Sequence, residues 1–109
     1  MAKKKIFLHL RITVKDHDRG RLASFLNEAI PYYEKMPGTK VRLLANKENP
    51  TRFVEVIEYD EQVTFDADQL RVRSDPMMIA LLERWRSLLA MKPEVEVYEE
   101  VTAGSLWEE

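Results

Sequence analysis

Residues 6–14 run Ile6-Phe7-Leu8-His9-Leu10-Arg11-Ile12-Thr13-Val14. Ile6, Leu8, Leu10, Ile12 and Val14 fall on one side of an extended chain and Phe7, His9, Arg11 and Thr13 on the other, since successive side chains of a strand point to opposite faces. A strand with one purely aliphatic side calls for a layer of helices over that side. Directly after it, Asp16-His17-Asp18 offers N-cap oxygens, and Leu22, Phe25, Leu26, Ala29, Ile30 and Tyr33 recur at the three- and four-residue spacing of a helical stripe. Pro31 cannot donate to the carbonyl of Asn27, so a kink or restart is expected there, and Pro37-Gly38 ends the helix.

Further along, Val41 to Ala45 and Arg52 to Tyr59 are β-rich runs joined by the turn formers Asn46-Lys47-Glu48-Asn49-Pro50, which predicts an antiparallel hairpin. Glu61 to Arg73 is polar with scattered Val63, Phe65, Leu70 and Val72, a pattern that suits a short helix or an ordered loop. Asp75-Pro76 is a helix start, an N-cap carboxylate followed by proline in the first turn, and Ile79, Leu82, Trp85, Leu88 and Leu89 supply the stripe of a second helix closed by Pro93. Val95, Val97 and Val101 alternate with Glu96, Tyr98 and Glu100 in a last strand, followed by a tail over 102–109 that carries Trp107. Strand, helix, strand, strand, helix, strand is the order of an α+β, ferredoxin-like βαββαβ fold: a four-stranded antiparallel sheet with two helices on one face. The whole chain, 1–109, is read as one domain with its core over about 6–101.

Composition narrows the function classes. The 109 residues include 17 Lys and Arg, 19 Asp and Glu and no Cys, for a formal net charge of −2. That balance lacks the basic excess that drives counterion release from nucleic acid, and the Lys3-Lys4-Lys5 run at a terminus is read as a solubilising leader. The absence of cysteine excludes a disulfide framework, thiolate-ligated metal and a thiol nucleophile. No apolar run reaches the roughly 20 residues of a membrane helix, and His9 and Arg11 interrupt 6–14, so neither a membrane span nor a signal peptide is expected and the location is read as cytoplasmic. A glycine-rich phosphate loop, a zinc-protease spacing and a serine-centred nucleophile motif are all missing. Asp16-His17-Asp18 carries metal-ligand chemistry, but adjacent residues seldom converge on one ion, so no metal site is expected.

The sheet face away from the helices is the candidate site. Phe7, Leu44, Phe53 and Ile57 are expected to share it with His9, Arg11, Arg42, Glu55, Tyr59 and Tyr98, a mixture too apolar for a free face and too charged for an ordinary core. A second copy of the chain is the simplest cover, so a homodimer is expected. His9 and Arg11 lie two residues apart on one side of one strand. A neutral imidazole there could act as base or proton shuttle while the guanidinium holds an anionic group, and the same pair could equally belong to a buried polar network with Glu55 or Glu96. Trp85 reads as part of the second helix's core stripe, with Met77-Met78 as adaptable lining for an apolar pocket.

Together, the opening strand Phe7-Leu8-His9-Leu10-Arg11, the strand ending Val56-Ile57-Glu58-Tyr59-Asp60 with its acidic continuation to Asp68, and Ser74-Asp75-Pro76 opening the second helix resemble the dimeric α+β barrel superfamily, including antibiotic-biosynthesis-monooxygenase-like and NIPSNAP-like domains. The resemblance covers roughly Ile6 to Val101. It implies two sheets facing each other across a two-fold axis and, in each protomer, a pocket between the sheet and its helices or loops. Haem-degrading members of that group present a histidine from a helix; neither expected helix here contains one, and no cofactor is expected. Cofactor-free monooxygenase members surround an electron-rich aromatic substrate with polar and aromatic groups, a set for which His9, Arg11, Tyr59 and Trp85 are the counterparts, with Arg42, Glu55 and Tyr98 as further ligand contacts. Three classes follow: a cofactor-independent monooxygenase-like or isomerase-like enzyme acting on a small aromatic or acidic molecule, a non-catalytic ligand-binding or stress-related dimeric module, and an interaction protein whose charged face is only a dimer seam.

Overall fold

A computed structural model describes residues 3–104 and 106; Trp107 lies outside them. The strands are β1 (Ile6–Thr13), β2 (Thr39–Ala45), β3 (Arg52–Tyr59) and β4 (Glu94–Glu99), and the helices α1 (Arg19–Tyr33), α2 (Gln62–Ser74) and α3 (Pro76–Ser87). All strand pairs are antiparallel, in the order β2-β3-β1-β4. The aliphatic side of β1 is covered as expected: Ile12 and Val14 are packed with Leu22, Phe25, Leu26 and Ala29 of α1 and with Met78, Leu81 and Trp85 of α3.

Local chemistry accounts for most element boundaries. In the β2–β3 loop the Asn46 side chain accepts from the Glu48 and Asn49 amides, and Asn49 accepts from the Thr51 amide and hydroxyl, the Asx turns that Asn favours. Gly38 immediately precedes β2 with φ at 83°, and its carbonyl accepts from the Asp60 amide at 2.9 Å. A Cβ at Gly38 would overlap the Asp60 carboxyl, so this close approach requires glycine. Asp75 caps α3 by accepting from the Met77 amide, with Pro76 in the first turn, as the sequence predicts. The same carboxyl also accepts the Tyr32 hydroxyl, which ties α1 to the start of α3.

Several expectations are corrected. Asp16, His17 and Asp18 form a 3₁₀ turn without a side-chain cap; Asp18 instead accepts from Arg21. At Pro31, where a kink or restart is expected, α1 does not restart but runs continuously through the proline, and Glu34 still donates to Ile30 one turn from the end. Residues 62–74 form a full 13-residue helix, making three helices over the sheet rather than two. The second-helix stripe holds at Trp85 and Leu88, which are buried, but its first half is displaced by one position: Met78 and Leu81 are buried, whereas Ile79 is exposed. β4 stops at Glu99, short of Val101. Lys3, Lys4 and Lys5 approach Glu61, Glu99 and Glu58 within 3.5 Å and so act as local ion-pair partners.

The register of β3 carries the correction that matters for function. Leu10 stands opposite Glu55, Leu8 opposite Ile57, and Ile12 opposite Phe53. Phe53, Glu55, Ile57 and Tyr59 therefore face the helices, while Val54, Val56 and Glu58 share the open side with Phe7, His9 and Arg11. β3 is a central strand carrying apolar residues on both sides, so its alternation alone left the choice of face open.

Candidate functional site

On the helix side of the sheet, β1, β3 and β4 meet α2 and α3 around a cavity of about 210 Å³. Leu8, Leu10, Ile57 and Val95 project from the sheet, and Val72, Met78, Leu82 and Trp85 close it from the helices. Within this apolar shell Glu55 is the ionisable group of interest. Its residue is 2% exposed, and burial raises the carboxyl from its ordinary value of 4.5 to about 7. The Trp85 indole lies near enough to oppose that rise, but the two groups do not meet with hydrogen-bond geometry: Glu55 Oε1 and Trp85 Nε1 are both left without a partner among the described residues. A buried acceptor and a buried donor that do not satisfy each other are the features a polar ligand group would complete.

Two tyrosines line the cavity with Glu55. Tyr33, from the last turn of α1, has its pKa raised by burial and by the neighbouring Glu55 charge, and remains a protonated phenol. Tyr59, raised mainly by burial, donates its hydroxyl to Asp68 Oδ2 at 2.5 Å. Asp68 is itself held by Arg71, whose guanidinium lies 3.0 Å from Oδ1 and also donates to the Tyr32 and Tyr33 carbonyls. The buried Asp68 charge is thus fully partnered and anchors α2 to the end of α1. Among the described residues Glu55 has no such cation, so burial acts on its carboxyl without an opposing positive charge.

The sequence-derived set is therefore divided between two faces. Glu55, Tyr59 and Trp85 line the cavity. His9, Arg11, Arg42 and Tyr98 stand on the opposite side of the sheet, where the His9 ring packs 4.8 Å from Tyr98, Tyr98 donates to Glu96, Arg11 pairs with the same carboxylate, and Arg42 lies 3.4 Å from Glu58. Met78 lines the cavity as expected of an adaptable apolar residue, whereas Met77 is exposed. Sequence reasoning did not single out Tyr33, Asp68 or Arg86. The available signal was Glu55 itself, the one charged residue in the Phe53, Glu55, Ile57, Tyr59 alternation. His17 is exposed beside Asp18, and among the described residues no three His, Cys, Asp or Glu side chains gather around a point that could hold a metal ion.

No family model matches the sequence, and no curated protein does. Solved structures, in contrast, superpose over nearly the whole chain. SnoaB, a cofactor-independent oxygenase from Streptomyces nogalater, aligns with a TM-score of 0.74 at 16% identity over 94% of this chain and 97% of its own. A candidate antibiotic biosynthesis monooxygenase from Nitrosomonas europaea gives 0.73 at 13% identity, covering 94% and 95% of the two chains. A conserved protein from Methanosarcina mazei Go1 gives 0.74 at 18% identity over 86% and 90%. The chain thus has the α+β, ferredoxin-like fold of the antibiotic-biosynthesis-monooxygenase-like proteins.

Proposed function

We propose that the cavity binds a small, mostly apolar molecule with a weakly acidic O–H or C–H group and that Glu55 removes that proton, making the protein a cofactor-independent monooxygenase-like or isomerase-like enzyme. The observation that carries this is the Glu55 carboxyl, buried without a cation in an apolar cavity, with its pKa at about 7 and Oε1 unpartnered. General-base catalysis is most effective when the base titrates near the working pH. A cavity of about 150 Å³ accepts a benzene ring, so a volume of about 210 Å³ suits a molecule of one or two rings. In this reading the unpartnered Trp85 Nε1 donates to the oxygen on which negative charge develops, which lowers the barrier to deprotonation.

Two outcomes are open to the resulting anion. Returned to a different carbon, the proton gives an isomer. In the presence of dioxygen, an activated CH₂ flanked by aromatic rings becomes C=O, one oxygen atom going to carbon and the other leaving as water, with the substrate supplying all the electrons. The likeness to SnoaB favours the oxygenase branch at the level of fold.

The same proposal gives the open sheet face to a second copy of the chain. All three helices cover the other side, leaving Phe7, Leu44 and Val54 among the Arg11–Glu96 and Arg42–Glu58 pairs. His9 and Arg11 then serve that seam rather than the chemistry.

The test is oxygen uptake and product analysis with hydroxynaphthalenes and two-ring diarylmethylene compounds, measured from pH 5 to 9. Turnover rising with pH through about 7 and lost in Glu55→Gln is expected. Ligand-induced thermal stabilisation without turnover would replace the enzyme with a binding module, and turnover retained in Glu55→Gln would refute the assignment of the base.

A further inference from the structure

The cavity opens at the junction of α3 and β4. Arg86, Pro93 and Val95 line both the cavity and an adjoining surface groove of about 430 Å³, whose other walls are Leu89, Met91 and Lys92. The groove lining therefore holds two cations, no anion and four apolar residues. Among the described residues neither the Arg86 nor the Lys92 side chain has an ion-pair or hydrogen-bond partner. The contrast within one helical turn is informative: Arg84 points toward α1 and holds Glu28 through two hydrogen bonds of 3.0 and 2.9 Å, whereas Arg86 points toward the cavity mouth with its guanidinium uncommitted. A cation in the last turn of α3 would complement the helix dipole from any side of the helix, so the dipole does not explain why the free one borders the cavity.

The site thus has a polarity along its depth. Inside, Glu55 offers an acceptor and Trp85 a donor within an apolar shell; at the mouth, Arg86 and Lys92 offer positive charge. From this we infer that the molecule bound is an aromatic carboxylate, whose ring fills the cavity with its acidic proton toward Glu55 and whose carboxylate sits at the mouth against Arg86 and Lys92. Arg86 is the principal contact because a guanidinium can meet a carboxylate with two parallel hydrogen bonds, and Lys92 adds a point charge. The inference rests on the proposal that the cavity is the binding site, and it deepens that proposal by naming the ligand class. It also gives the linker between α3 and β4 a role. That segment is fixed to the end of β1 by the Ala90 amide donating to the Thr13 carbonyl at 2.8 Å, so Lys92 stands on an anchored segment.

The test compares 6-hydroxy-2-naphthoate with 2-naphthol, the same ring and hydroxyl without the carboxylate, by titration calorimetry at pH 7 and low ionic strength. The intact protein should bind the naphthoate about tenfold or more tightly than the naphthol, the order of one charge-assisted contact. The exposed substitutions Arg86→Gln and Lys92→Gln combined should bring the ratio close to one, and added salt should shrink the ratio in the intact protein alone. Equal binding of the two compounds by the intact protein, or a preference that survives the double substitution, overturns the inference and leaves the cavity proposal standing. Binding of neither compound at millimolar concentration overturns both.

Discussion

Replacing Glu55 with glutamine should make the protein more stable, and by an amount that depends on pH. The Glu55 carboxyl ordinarily titrates at 4.5, and in the folded chain burial raises it to about 7. At low pH it is protonated in both the folded and the unfolded states. Between about 4.5 and 7 the unfolded chain has released the proton while the folded chain still holds it, so the folded state is progressively penalised as pH rises, and the penalty is complete above about 7. The gap from 4.5 to about 7, at about 1.36 kcal/mol for each pH unit, corresponds to about 3 kcal/mol. Because Glu55 is almost fully buried, solvent screening removes little of this.

Glutamine has nearly the same shape and never ionises. Its amide adds an unpartnered donor whose cost is the same at every pH, so the change in the stability gap between pH 4.5 and pH 8 isolates the ionisation of Glu55. Urea denaturation of both proteins at the two pH values, at one fixed protein concentration, should show Glu55→Gln gaining about 2–4 kcal/mol relative to the parent on going to pH 8. A gap that does not change with pH would mean that Glu55 is ionised and satisfied throughout, and the proposed base would be lost with it. A more stable but inactive Glu55→Gln is the pairing expected where a buried charge is retained for chemistry at the expense of the fold.

Further outcomes follow from the same structure. Gly38→Ala should lower stability by about 1 kcal/mol or more, since alanine resists a φ of 83° and its Cβ would press on the Asp60 carboxyl; an unchanged urea midpoint would contradict that geometry. Asp75→Ala should lower the thermal midpoint by removing both the α3 cap and the acceptor for Tyr32, while naphthol binding stays intact; a lost ligand response would instead link the cap to the cavity. Sedimentation equilibrium should find a homodimer at micromolar concentration, converted to monomer by Phe7→Glu on the open sheet face, and a folded monomer in the parent protein would refute the seam.

The fold was legible because its signals are local. Nine residues of strict alternation define β1, the hairpin loop announces itself through Asn46 and Asn49, and Asp75-Pro76 marks the start of α3 to the residue. α2 was obscured because its apolar residues divide: Val63 and Leu70 are exposed while Phe65 and Val72 pack inward on either side of the buried Asp68, so hydrophobic periodicity picks out no single face. In α3, Met78 and Ile79 are equally suitable core residues, and only the direction in which the Asp75 cap launches the helix decides that Met78 turns inward.

The site was less legible because it depends on β3, where the two faces exchange with a one-residue change of register. Val54, Val56 and Ile57 are apolar regardless of face, and Glu55 is the residue an ordinary pattern assigns to solvent. Yet the hairpin pairs Phe53 with Ala45 and Val41 with Ile57, while β1 pairs Leu10 with Glu55, so placing Glu55 outside would turn either the aliphatic side of β1 or the Phe53 and Ile57 side of β3 toward water. Burying one carboxylate costs about 3 kcal/mol at neutral pH by the titration argument above. Exposing Phe53, Ile57 and Tyr59 instead would forfeit about 1.5–3 kcal/mol for each large apolar side chain. The fold therefore accepts a buried Glu55 as the smaller cost, and its elevated pKa is the residue of that choice: the packing that turns the carboxyl to the helix side of the sheet is also what raises it toward neutrality.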